Sequence, residues 1–129
     1  MQRSKEENTG FQKGNLQEKL SQFSDHWNPR IIGELNGQHV KLAKLKGAFV
    51  WHQHEKEDEM FLVIKGELRI DFSETTEYLG EGDYIIIPAK TKHRPVADEE
   101  AEVMLFEPAS TVNTGEKRNE FTRDGLEKI

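Results

Sequence analysis

Cysteine is absent from the chain, so neither a disulfide framework nor a thiolate-ligated zinc site is open to it. Long apolar runs are absent too; no segment approaches the roughly 18 apolar residues of a membrane-spanning helix. The opening stretch MQRSKEENTGFQKGN is polar and charged, which argues against a secretory signal. The expectation is a soluble, cytoplasmic protein with no membrane partner. Positive charge is in deficit. A formal net charge of −6 would repel a phosphate backbone, and no basic stripe offsets it, so nucleic acid is not an expected partner. A phosphate-cradling glycine loop and a nucleophile–base pair of the hydrolase type are also missing. There is no internal repeat and no low-complexity tract.

What is present is a set of short apolar runs. At 129 residues the chain has the size of one domain with one core. Residues 1–30 read as a polar N-terminal arm, in which NLQEKLSQF would place Leu16, Leu20 and Phe23 on one helical face or form a loose arm. Residues 109–129 read as a polar, turn-rich C-terminal tail. The core falls in residues 31–108. There IIGEL and HVKLAKL flank Asn36-Gly37, a hairpin signal because both central residues of a type I′ turn need positive φ. GAFVWHQH and MFLVIKG read as strands. In ELRIDF, Leu68, Ile70 and Phe72 alternate with Glu67, Arg69 and Asp71, the pattern of a strand with one buried face. YLGEGD reads as a turn, and YIIIP and EVMLFEP as strands closed by Pro88 and Pro108. An all-β sandwich or barrel follows.

Only five histidines occur, and their spacing carries chemistry. His52 and His54 are two apart, so on an extended strand they point to the same side, together with Val50. Glu59 opens the next strand, in phase with Phe61 and Val63, after a hairpin loop EKED. His93 follows Pro88 across another turn. Three neutral imidazoles and a carboxylate suit a divalent transition ion with one or two positions left for water or substrate: iron(II), manganese, nickel, cobalt or zinc. His26 and His39 read as ordinary surface or core histidines.

The pattern from Gly47 through His52, His54 and Glu59 to Gly66 resembles the first cupin motif, and Gly82, Pro88 and His93 resemble the second. The spacer, residues 67–81, is similar to that of small single-domain cupins of the phosphomannose-isomerase-like type. This resemblance spans residues 38–107. It implies a double-stranded β-helix, or jelly roll, with a metal in the barrel mouth held by His52, His54, Glu59 and His93. The chain departs from the pattern in three places: Gly47 lies one residue closer to the first histidine, Lys90 stands where glycine is common, and Ala97 where asparagine is.

Alternation places Lys65 far along its strand and turns Arg69 and Arg94 outward, leaving Lys90 and Lys92 as the loop cations nearest the mouth. The pocket is then apolar, lined by residues such as Val50, Phe61 and Ile86, which suits a small organic ligand better than a phosphosugar. Two functions follow. One is a metal-dependent enzyme of isomerase, lyase or oxygenase type, with Tyr84, Glu57 and Asp58 as candidate proton carriers. The other is a non-catalytic binder or sensor of a small molecule. Phe49 and Trp51, out of phase with the histidines, are expected to face outward. A homodimer joined through that outer face would cover them, with the N-terminal arm as the rival cover.

Overall fold

Asn36 and Gly37 both take positive φ, 51° and 76°, and turn β1 (Arg30–Leu35) back on β2 (Gln38–Ala48). The hairpin expected from that dipeptide is the one observed. The structure is a computed structural model and describes residues 10–115 and 118–129. Five further strands follow: β3 (Glu59–Lys65), β4 (Leu68–Phe72), β5 (Thr76–Leu79), β6 (Tyr84–Ile87) and β7 (His93–Pro108). All pairings are antiparallel, in the order β1-β2-β7-β3-β6, with β4 joining β5 to β7. This is the expected all-β jelly-roll barrel. No helix among the described residues is long and apolar enough to cross a membrane.

The long β7 makes the barrel. Its C-terminal half pairs with β2 on one side and β3 on the other, whereas its first residues pair with β4. Val103 and Leu105 of β7 join Ala43, Leu45, Phe61, Val63, Leu68 and Ile70 in the interior. A smaller apolar layer lies outside the sheet. There α1 (Leu16–Leu20), capped by the Asn15 side chain on the Glu18 amide, sets Leu20 and Phe23 against Leu42, with Leu16, Ile64 and Met104 beside them. The helical option for NLQEKLSQF is thus realised.

Both terminal extensions pack on the barrel. Trp27 of the arm is buried, and its indole donates to the Lys46 carbonyl. From the tail, Phe121 packs against Trp27 and Phe49, and Ile129 and Ile31 bond through their backbones.

The run GAFVWHQH is not one regular strand. β2 ends at Ala48, and beyond it the Phe49 amide donates to Pro95 and the His52 amide to His93. Three steps on this side therefore face two on β7, the signature of a bulge. The extra residue shifts the phase, so Phe49 and His52 both turn inward. This corrects the outward placement of Phe49: it is buried and stacked on Trp27, ring centroids 4.7 Å apart. Trp27 of the arm and Phe121 of the tail cover it. Trp51 does lie outside the core, beneath the Arg94 guanidinium at 5.1 Å.

Candidate metal centre

His52 and His93 are antiparallel neighbours, each amide donating to the other's carbonyl at 3.0 and 2.9 Å. Their rings lie 4.4 Å apart. His54 comes two residues later, where its carbonyl accepts from the Lys90 amide at 2.7 Å. Glu59 enters as the first residue of β3 because the loop before it is tied down: Asp58 accepts from the Ala89 amide and Glu57 from the Ser110 hydroxyl. Lys90 has φ 67°, the left-handed conformation in which glycine is common, so the departure at this position leaves the turn itself in place.

One ligand atom from each of His52, His54, Glu59 and His93 lies within 4.8 Å of the other three, and all four residues are buried. Glu59 Oε1 sits 3.5 Å from His54 Nε2 and 3.4 Å from His93 Nε2. Two atoms so separated can both reach one ion at the usual bond length of about 2.1 Å. The Nδ1 atoms of His52 and His93 are within 2.9 and 2.8 Å of the Val50 and Thr91 carbonyls. Those carbonyls require a proton on Nδ1, which leaves each Nε2 a lone pair directed into the cluster. His54 Nε2, His93 Nε2 and Glu59 Oε1 are buried without hydrogen-bond partners. Orphaned acceptors converging at one point fit a cation.

The electrostatics agree. Burial, with the charge of His93 adding to it, lowers the His52 pKa to about 4, so the ring is neutral and able to ligate at pH 7. Burial would raise the Glu59 carboxyl, but the neighbouring Glu107 carboxyl and the His54 and His93 rings hold it well below the usual carboxylate range. Glu107 goes the other way: burial, reinforced by the Glu59 charge, pushes it well above that range. Lys41 meets it at 2.8 Å and is equally buried.

A narrow chamber opens beside the cluster, with about 30 Å³ of free room within its walls. Trp27, Leu45, Phe49, Phe61 and Leu105 give it apolar walls, with His52, Glu59, Glu107 and Asn113 as polar points. Phe61 lies in this wall. Val50 packs at the core margin without lining the chamber. Ile86 is 59% exposed, because Glu59 and its partner Ile87 set the inward phase of β6; its assignment to the pocket is corrected. Tyr84, 67% exposed on the same outer face, does not line the chamber, and neither do Glu57 and Asp58. Arg69 and Arg94 converge on Asp71, outside the chamber.

Lys41 and Glu107 were not singled out in the sequence. The signal was there for Glu107, which continues the inward phase of Val103 and Leu105 in VMLFE.

The Cupin domain family matches residues 38–107. The protein YdbB of Bacillus subtilis is 40% identical over 80 residues, 61% of this chain and 65% of that relative, so the match spans just under two thirds of the relative's length. Among solved structures, a cupin-2 domain containing protein from Shewanella frigidimarina superposes with a TM-score of 0.72 at 42% identity, covering 73% of this chain and 92% of that one. Protein NMB1881 from Neisseria meningitidis gives 0.70 at 28% identity, covering 75% and 99%.

Proposed function

The chain belongs to the cupin family, and on that premise we propose that it is a metal-dependent enzyme acting on a small, largely apolar organic molecule. The observation that carries this reading is the buried convergence of His52, His54, Glu59 and His93. These residues would hold one divalent transition ion, which supplies Lewis acidity toward a substrate oxygen, or redox chemistry if it is iron. The Val50 and Thr91 carbonyls fix two of the rings. Trp27, Phe49 and Leu105 exclude water, and the chamber favours a ligand with more carbon than charge.

The test is metal analysis of protein purified without a metal-affinity step. About one divalent ion per chain is expected. His54→Ala and His93→Ala should each lower that content sharply while the far-ultraviolet spectrum stays that of a β protein. Full occupancy in both variants would sink the ligand set.

A second reading, a non-catalytic binder or sensor, draws support from one observation. Tyr84, Glu57 and Asp58, the candidate proton carriers, are exposed or engaged away from the chamber. Offering small hydroxy acids and phenols to the loaded protein separates the two readings. Spectral perturbation without product favours the binder.

The other proposed partner is a second copy of the chain, docked on a different face from the one that Phe49 suggested. On the outer side of the sheet, Val40, Phe106, Met60 and Ile86 form one cross-strand row, and Leu42, Met104, Leu62 and Tyr84 the next. The helix α1 covers Leu42 but leaves Ile86 and Tyr84 exposed.

A further inference from the structure

The chamber beside the candidate ligands has room for water but not for an organic ring. Its free room is about 30 Å³, whereas a cavity that takes up benzene is nearer roughly 150 Å³. A ligand of that size needs a wall to move. Ala43, Leu45, Phe61 and Leu105 stand on paired strands of the barrel and cannot move singly. Trp27 and Asn113 are walls of another kind, supplied by the arm and the tail.

Trp27 is held under strain. Its φ of 57° is left-handed backbone, which a bulky side chain adopts only where its surroundings impose it. Here the Lys44 and Lys46 carbonyls do so, accepting from its amide and its indole at 3.0 and 2.9 Å. Asn113 bonds within the tail, donating to the Phe121 carbonyl and accepting from the Arg123 amide. The tail can therefore carry it as a unit. Rings join tail to arm: Phe121 lies edge-on to Trp27 at 6.5 Å and 5.2 Å from Phe49.

We propose that Trp27, Asn113 and Phe121 form a lid, which parts to admit a ligand while the barrel stays folded. Opening releases the strain at Trp27 and closing restores the ring contacts, so the closed state is favoured without being locked. The inference rests on the reading of the chamber as the ligand site.

Hydrogen exchange of the metal-free, full-length chain tests the lid with no ligand needed. The Trp27 indole N–H gives its own resonance, told apart from that of Trp51 by a Trp51→Phe variant. Corrected for intrinsic rates, it should exchange about tenfold or more faster than the slowest β7 amides, through an opening smaller than unfolding. Phe121→Ala, which loses two ring contacts, should speed the indole about tenfold again. Leu20→Ala, in the apolar layer outside the sheet, should speed the β7 amides and not the indole. A wild type whose indole exchanges only together with the β7 amides overturns the proposal, because the wall then moves only when the barrel unfolds. So does a folded Phe121→Ala variant with an unchanged indole; should that variant not fold, the wild-type comparison decides. Loss of cobalt(II) to 1,10-phenanthroline then shows what the lid guards. The wild-type rate should level off as chelator is raised, and Phe121→Ala should lift that plateau; an unmoved plateau overturns the link between lid and chamber. A wild type that takes up no cobalt rejects the metal reading and leaves the exchange result standing.

Discussion

His52 is held neutral by its surroundings, and that has a measurable consequence for the metal-free protein. Its pKa falls to about 4 through burial and the neighbouring His93, whereas an unfolded histidine titrates near 6.5. Between about 4 and 6.5 the unfolded chain binds more protons at this residue, so stability drops as pH falls through that window. The full shift corresponds to roughly 3 kcal/mol. Glu107, raised by burial, tilts the other way, its carboxyl favouring the fold at low pH. Comparison with His52→Gln separates them. Relative to that variant, metal-free wild type should lose stability between pH 7 and 4.5 in denaturant titrations. Parallel pH profiles would contradict the assignment. The four candidate ligands could be read from spacing because each keeps its phase relative to its own strand. Phe49 could not, since a bulge is one unremarkable residue that reverses every parity before it. Lys41 escaped for a different reason: a lysine between Val40 and Leu42 reads as solvent-facing unless its partner, 66 positions away, is known.

Among the elements, the hairpin at Asn36-Gly37 and the cores of β3, β4 and β6 follow from turn chemistry and alternation. β5 does not. Its TEYL carries one inward apolar residue, Leu79, and pairs only with β4, too little pattern to stand out from the turn after it. The tail also held more structure than its polarity suggested, because a few contacts fix it. Gly115 has φ 64°, and a Cβ there would come 2.0 Å from the Gln53 carbonyl oxygen, between His52 and His54. Gly37, at φ 76°, has open space instead. Gly37→Ala should therefore lose about 1 kcal/mol from backbone strain alone, and Gly115→Ala clearly more. Thermal melts of both variants test the order. Equal losses would mean that the tail does not press on the ligand-bearing segment.

Taken whole, the molecule carries a net charge of −6 yet presents an uncharged two-row array on one sheet face. Like-charged copies repel at long range, but screening limits that to about 8 Å at physiological salt, so apolar contact at short range can prevail. Sedimentation of the wild type at micromolar concentration should show a dimer. Ile86→Glu and Tyr84→Glu should weaken it by at least tenfold, and Trp51→Glu, outside the array, should not. A monomeric wild type ends the idea. Barrel closure and the apolar interior could be anticipated from composition and strand count. The packing of arm and tail over the mouth could not, since it depends on a few aromatics, Trp27 and Phe121, set in polar sequence.

The central position of β7 also sets an order in time. It pairs with β2, β3 and β4, so no sheet larger than the pairs β1–β2, β3–β6 and β4–β5 can close before it arrives. Contacts as distant as Gln38 with Pro108 place the chain among slow, non-local folders, in the range of about milliseconds to seconds. During synthesis those pairs must wait, edges unpaired, for residues near 108 to leave the ribosome. His93 is the first residue of this closing strand. The four-residue cluster is therefore assembled late, and an ion that needs all four ligands can trap the finished barrel but not seed it. Added metal should slow unfolding and leave the refolding rate nearly unchanged.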